Sequence, residues 1–342
     1  GTQGAESGDM AALGKKLLFS ANDGVHGTEL WVSDGTGTGT VLHSDIRTLP
    51  ITSIDSSPRH LLDLHGLLLF TANGDGNTGR EIWRSDGTAR GTYLVKDINP
   101  SGQGAYLDTS FEKTTGKLLC LGNQLFFTGI DQVHGQEIWI TDGTAQGTRL
   151  IKDINPGPGN SDFKNGVILA GRLYFFAQDG KQRGIWVTDG TKAGTKLVST
   201  ATRYFDDPIV FEKQIYFRGH DNSSRHEIWV TDGTAQGTRL FKDTYPGSGA
   251  GGFYCPVVHQ GWLYYQAKTD HYSHYLWKTD GKKVIQVSKG PLFFNGGISL
   301  GNKLIFSGKD PNANKGTEPW VTDGTPAGTR MLRDIGPGHE SG

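Results

Sequence analysis

A tryptophan followed three residues later by Asp-Gly occurs seven times in this chain, and that repetition restricts the fold more than any other feature. The tryptophans are Trp31, Trp83, Trp139, Trp186, Trp229, Trp277 and Trp320, and the aspartates are Asp34, Asp86, Asp142, Asp189, Asp232, Asp280 and Asp323. Successive Asp-Gly pairs stand 52, 56, 47, 43, 48 and 43 residues apart. A period in this range with strand-like content belongs to propellers and solenoids. The fullest copy, residues 227–240, reads Glu-Ile-Trp-Val-Thr-Asp-Gly-Thr-Ala-Gln-Gly-Thr-Arg-Leu.

One repeat shows the internal organisation. Residues 60–64, 67–72, 81–85 and 92–97 are short segments rich in β-branched or aromatic residues, separated by Gly, Asn and Asp. That is the pattern of four antiparallel strands joined by tight connections. No segment sustains a 3.6-residue apolar period, so almost no helix is expected. The cycle can be laid down at 9–46, 58–98, 112–154, 164–200, 207–244, 254–289 and 295–335. The predicted fold is therefore all-β: a seven-bladed β-propeller of four-stranded antiparallel blades, with residues 1–342 as a single domain. A sandwich or an open solenoid is the competing architecture. In the phase adopted, the first and last blades each come from one continuous segment. In the other phase, residues 329–335 complete a blade with the N-terminal strands.

The repeated residues have structural work to do. The tryptophan on the third strand is placed to fill the space between blades. The Asp carboxylate can accept hydrogen bonds from the following backbone N–H groups and fix the turn. Both glycines of the Asp-Gly-Thr-x-x-Gly-Thr segment are expected to supply positive φ, and the threonine hydroxyls to satisfy turn backbone. Seven copies imply a scaffold and not a catalytic group.

Glu29-Leu30-Trp31-Val32-Ser33-Asp34-Gly35-Thr36 and its copies resemble the bacterial ELWxxDGT repeat family. The tails Val95-Lys96-Asp97-Ile98-Asn99-Pro100 and Ile151-Lys152-Asp153-Ile154-Asn155-Pro156-Gly157 match that repeat as well, and the resemblance covers essentially the whole chain. It implies a propeller-like protein of the cell exterior or cell surface. Three blades depart from the pattern: Gly184 stands where the Glu is expected, Tyr275 does so in blade 6, and Pro319 precedes the last tryptophan. Blade 6 also loses the Gly-Thr tail, reading Asp280-Gly281-Lys282-Lys283.

Composition narrows the function classes. A formal net charge of −1 and a pI near 6.9 argue against non-specific nucleic-acid binding, which needs a basic face. No apolar run approaches the length of a membrane-spanning helix. The chain starts at Gly1 with no secretory leader, which reads as a mature or trimmed product. Cys120 and Cys255 are too few for a disulfide framework and are expected as free thiols.

Individuality is expected on one face, where strand 2–3 loops and blade-to-blade linkers vary. The mouth of the central channel on that face is the expected site. Tyr106, Phe111, Phe163, Tyr204, Phe205, Phe253, Tyr254, Phe293 and Phe294 fall at or just before inner strands. They read either as linker packing or as a ring of stacking surfaces for a sugar or another flat ligand. His26, His134, His220, His226, His271 and His274 lie in strand 2–3 loops. His271 and His274 with Asp270 form a weak metal-ligand spacing that lacks a third firm ligand. Residues 73–77 and 310–314 alternate oxygen-bearing side chains as calcium loops do, but also as simple Asx turns do. No other cofactor is indicated.

These readings lead to a secreted, non-enzymatic, lectin-like protein with a carbohydrate or other small ligand as partner. The alternative from another class is a polysaccharide lyase or hydrolase using His271, Tyr272, His274, Tyr254, His259 and Arg203. A protein-interaction scaffold is the third reading.

Overall fold

The computed structural model describes residues 9–48, 55–75, 78–100, 119–221, 226–246, 249–313 and 315–336. Among the described residues every regular element is a β-strand, and they form seven sheets, each of four consecutive strands. The first sheet contains β1 (Met10–Leu13), β2 (Lys16–Asn22), β3 (Thr28–Ser33) and β4 (Val41–Ser44). The second contains β5 (Arg59–Leu64), β6 (Leu67–Asn73), β7 (Arg80–Ser85) and β8 (Tyr93–Lys96), and the third β9 (Cys120–Leu121), β10 (Gln124–Asp131), β11 (Gly135–Thr141) and β12 (Arg149–Lys152). The fourth contains β13 (Lys164–Leu169), β14 (Arg172–Gln178), β15 (Arg183–Thr188) and β16 (Lys196–Ser199). The fifth runs through β17 (Asp206–Phe211), β18 (Gln214–His220), β19 (His226–Thr231) and β20 (Arg239–Lys242). The sixth holds β21 (Tyr254–His259), β22 (Trp262–Lys268), β23 (His274–Thr279) and β24 (Val284–Gln286), and the seventh β25 (Phe293–Leu300), β26 (Lys303–Lys309), β27 (Glu318–Thr322) and β28 (Arg330–Met331).

This is a seven-bladed β-propeller of antiparallel four-stranded blades. The strand β28 pairs with β27 and not with the N-terminal strands, so the phase with a shared first blade is not adopted. The described chain forms two compact units: residues 1–164 with 177–182 and 188–195, and residues 165–176 and 183–187 with 196–342.

Inside the first unit, successive blades are glued by both faces of their middle strands. Leu68, Phe70 and Ala72 of β6 pack with Leu13, Leu18, Leu30 and Val32 of the first blade. On the opposite face Leu69 packs with Leu64 and with Leu125 of β10. A strand buried on both faces has no polar side to alternate with, which is why residues 67–72 read as a nearly unbroken apolar run. Trp139 meets Ile82, Val95, Ile98 and Phe127, so the repeated tryptophan fills the inter-blade space as expected.

The second unit repeats this arrangement. Val167, Tyr174, Phe176 and Ile185 pack on Phe205, Ile215, Phe217 and Trp229. Phe211, Tyr216 and Val230 pack on Phe253, Leu263 and Tyr265, and Tyr264 and Leu276 pack on Phe294, Leu304 and Phe306.

The Asp-Gly-Thr hairpins confirm the turn chemistry with one correction. In the third blade Asp142 Oδ1 accepts from the Thr144 N–H at 2.9 Å and from its hydroxyl at 2.7 Å. Thr144 Oγ1 in turn accepts from the Gly147 N–H at 2.9 Å. The first glycine, Gly143, has φ +83°, as its position in the turn demands. The second, Gly147, is not in the left-handed region; a Cβ there would collide with the Asp142 carboxylate. Gly39, Gly91, Gly194, Gly237 and Gly328 stand in the same relation to their own aspartates. Close approach of a carboxylate, not backbone handedness, requires these second glycines.

The repeated glutamate before the tryptophan also has a role that the sequence reading left unassigned. Glu137 is fully buried, and its two oxygens accept the backbone N–H groups of Ile154 at 3.1 Å and Asn155 at 3.0 Å. Glu29 does the same for Ile46 and Ser56, and Glu227 for Thr244 and Gly251. Each carboxylate pins the chain that leaves its own blade, where backbone would otherwise be buried unpaired.

Candidate functional site

The inner strands carry a recurring bulge, found also in β5 between Arg59 and Leu62, where His60 has φ +57°. In β17 the pairing register shifts between Asp206 and Ile209, and in β21 between Tyr254 and Val257. The bulged residues are Asp207 with φ +52° and Cys255 with φ +51°; Asn165 in β13 has φ +52°. A non-glycine residue in the left-handed region is uncommon, and β-bulges re-aim side chains. In β25 the corresponding shift falls between Phe294 and Gly297, and there the left-handed residue is Gly296.

What the bulges re-aim is a polar lattice. Asn165 Nδ2 donates to Asp206 Oδ1 at 2.8 Å, and Arg218 Nη2 donates to Asp206 Oδ2 at 2.9 Å. The same guanidinium nitrogen stands 3.9 Å from Asp207, and the Arg218 guanidinium carbon lies 4.8 Å from the centre of the Tyr254 ring. Burial pushes the Asp207 carboxyl above the ordinary aspartate range; Arg218 pulls the other way and Asp206 adds to the rise. Burial lowers the Arg218 guanidinium, but its hydrogen bond to Asp206 and the two carboxylates reverse that and leave it raised. One guanidinium thus serves two carboxylates, and Asp207 has the weaker claim on it.

Aromatic groups border this lattice. Tyr204 is 45% exposed, and its ring centre is 5.4 Å from His220 and 5.1 Å from His226. Those two imidazoles face each other across the β18–β19 register pair at 5.1 Å. Burial, with Arg218 and His220 nearby, lowers the His226 pKa, so its imidazole stays neutral at pH 7. One blade on, His274 lies 6.0 Å from Tyr254 and 4.9 Å from Phe293. Burial lowers the His274 pKa too. Beside Phe293 opens a cavity of about 500 Å³ lined by Gln266, Asn295, Ser307, Lys309 and Pro311, among others.

The structure sorts the nine aromatic candidates. Tyr106 and Phe111 lie outside the described residues. Phe163, Phe205, Phe253 and Phe294 are 0–1% exposed. Phe205 packs at a tilt on Phe217 at 4.7 Å, Phe253 likewise on Tyr265 at 5.2 Å, and Phe294 meets Phe306 edge-to-face at 5.0 Å. These phenylalanines are plugs in the core, and their recurrence at the inner strand of each of the last four blades is the signal of that role. Of the other described candidates, Tyr204 and Phe293 are exposed and Tyr254 is half-buried.

The catalytic candidates do not converge. Tyr254 and His274 meet, but His259, at the other end of β21, accepts or donates at Ser299 Oγ, 2.9 Å away. The His271 ring contacts Tyr272, which is 84% exposed, and the Arg203 N–H donates to the His220 carbonyl. Asp270 caps its own loop through the N–H groups of Tyr272 and Ser273. Among the described residues no group of three His, Cys, Asp or Glu side chains is placed to hold a metal. His26 and His134 pair with Asp23 and Asp131 of their own loops at 2.6 Å and 2.8 Å. Of the two oxygen-rich loops, Asn77 and Asn314 lie outside the described residues, Asp75 accepts from Thr48, and Asp310 accepts from the Asn312 N–H. Both cysteines are free and half-buried; burial pushes the Cys120 thiol up to about 11, and Cys255 is raised as well. No helix among the described residues is long and apolar enough to cross a membrane.

Sequence reasoning missed Asp207, Arg218, Asn165, Gln266 and Lys309. A usable signal existed. The fifth residue of the middle strand is Ser20, Thr71 and Thr128 in the first three blades but Arg218 and Gln266 in the fifth and sixth.

The fold defines a class, the seven-bladed β-propeller, and comparison with known proteins goes no further than that class. No protein-family model and no curated protein matches the chain. Solved structures that resemble it include puromycin hydrolase, with 10% identity over 98% of this chain and 55% of that one, at a TM-score of 0.46. The β-propeller domain of the Trilobed protease from Pyrococcus furiosus matches at 12% identity over 98% and 99% of the two chains, with a TM-score of 0.42. One structure from a study of two prolyl endopeptidases matches at 12% identity over 95% and 48%, with a TM-score of 0.49. The chain spans about half the length of puromycin hydrolase and of the prolyl endopeptidase. The lectin-like carbohydrate binder expected from the sequence is overturned by the geometry: of the seven described aromatics in the ring of stacking surfaces on which it rested, four are buried core.

Proposed function

We propose that this chain is a peptide-receiving propeller, whose fifth and sixth blades hold a positively charged group of a polypeptide beside Asp207. One observation carries the reading: Arg218 is 2.9 Å from Asp206 but 3.9 Å from Asp207, so a half-buried carboxylate is left under-neutralised at a re-aimed position on the rim. A desolvated carboxylate in that state gains from a second cation that brings its own hydrogen-bond donors. An N-terminal ammonium or a Lys or Arg side chain meets that requirement, and Tyr204 and Tyr254 give the flanking residues apolar surface. The peptidase matches are likenesses of fold too loose to bear on this reading. The ELWxxDGT resemblance and the extracellular or cell-surface setting it implies belong to the same proposal.

Calorimetric titration with short peptides tests it. A peptide with a free N-terminus is expected to bind at least about tenfold more tightly than its N-acetylated form, the equivalent of ~1.4 kcal/mol. Asp207→Asn is expected to erase that difference. Equal binding of the two peptides by the parent chain, or an unchanged preference in Asp207→Asn, removes Asp207 from the reading and the reading with it.

A further inference from the structure

The cavity in the last blade has a chemical character opposite to that of the Asp207 lattice. Its volume is about 500 Å³, well within the range that takes a small side chain and its terminal group. Among the described residues that line it none is a carboxylate, whereas Lys309, Asn295, Ser307 and Gln266 all bring donors. Gln266 is only 6% exposed, and its oxygen already accepts the Phe294 N–H at 3.2 Å. Its amide nitrogen is therefore the group it offers to the cavity. Lys309 stands in register with Phe293 across the β25–β26 pair, so the cation and an apolar ring face the same space. Pro311 extends the apolar wall.

We infer that this cavity is a carboxylate pocket, and that it receives the C-terminal carboxylate of a bound peptide while the last side chain, an apolar one, rests on Phe293 and Pro311. Lys309 supplies the charge, and the amides of Gln266 and Asn295 and the Ser307 hydroxyl supply directed donors. The inference rests on the peptide-receiving reading and refines it, because a chain held at both ends is a short peptide with free termini.

The two claims separate experimentally with N-acetyl-leucine and N-acetyl-leucinamide, which carry no cation for Asp207. In NMR titrations followed at the backbone amides of Ser307 and Lys309, the free acid is expected to bind with a dissociation constant of about 1 mM or below, and the amide at least tenfold more weakly. Lys309→Met, a long exposed-to-half-buried side chain replaced by one of similar length, is expected to bring the acid down to the level of the amide. Asp207→Asn is expected to change neither. Acid and amide binding alike, or an acid indifferent to Lys309→Met, overturns the carboxylate pocket even where cationic peptides still depend on Asp207. An acid that binds through Lys309 while cationic peptides ignore Asp207 keeps the pocket and sinks the peptide-receiving reading.

Discussion

At the scale of single residues, the repeat is tighter than its consensus suggests. Asp142, Thr144 and Gly147 form a closed set in which the carboxylate occupies the space a Cβ on Gly147 would need. Gly147→Ala is therefore expected to cost about 2 kcal/mol, since the carboxylate must swing out and abandon its N–H and hydroxyl donors. Asp142→Ala alone is expected to cost about 1 kcal/mol through the lost turn. With Asp142 already removed the second substitution meets open space, so the double variant is expected to fall well short of the sum. Denaturant titration of the four proteins measures this, and strict additivity refutes the steric account. The glycine was legible as obligatory from its recurrence, but its reason was not. A turn glycine needed for φ and one needed for proximity look the same in one dimension.

At the scale of the strand, departures from the consensus mark where packing, not function, dictates. Gly184 stands where five other blades bury a glutamate, and a Cβ there would run into the Ser199 carbonyl. Restoring the consensus by Gly184→Glu is expected to destabilise the protein by about 3 kcal/mol or more, because the obstructing atom is backbone and cannot rotate away. A thermal melt in which that variant is as stable as the parent would show that β15 has slack it lacks in the structure. The four-strand cycle itself was readable because turns and apolar runs recur at every blade. The inner-strand bulges were not, since Asp207 and Cys255 leave the local apolar pattern of β17 and β21 intact and only the left-handed φ betrays them. The same limit hid the acids of the site: Asp206 and Asp207 are unremarkable in sequence until the β17–β18 pairing puts Asp206 opposite Arg218, the one member of the set that its place in the repeat could have marked.

At the scale of the whole chain, two families of repeated carboxylates respond to pH in opposite directions. The turn aspartates Asp34, Asp86, Asp142, Asp232 and Asp323 are held below 3.8 mainly by the hydrogen bonds of the following threonine. Their contribution to stability is present above pH 3.8 and is lost as the pH falls through their lower folded values. The blade-pinning glutamates behave conversely. Burial raises Glu29 and Glu137 from 4.5 to about 7, against their hydrogen bonds, and raises Glu227 as well. The folded chain then binds more protons than the unfolded chain between pH 4.5 and 7, so stability falls as pH rises across that window and the deficit is complete above it. At 1.36 kcal/mol per pKa unit, the shifts of Glu29 and Glu137 each correspond to a deficit on the order of 3 kcal/mol. The melting temperature is therefore expected to peak near pH 5, between the two windows, and to be lower by about 5 °C or more at pH 8. Glu137→Gln keeps an acceptor for the linker and cannot ionise. It is expected to flatten the decline between pH 5 and 8, leaving the acid limb, which belongs to the aspartates, where it was. A melting temperature that climbs from pH 5 to 8, or a slope that Glu137→Gln leaves unaltered, would mean that the hydrogen bonds of the linker outweigh burial and hold these carboxylates ionised.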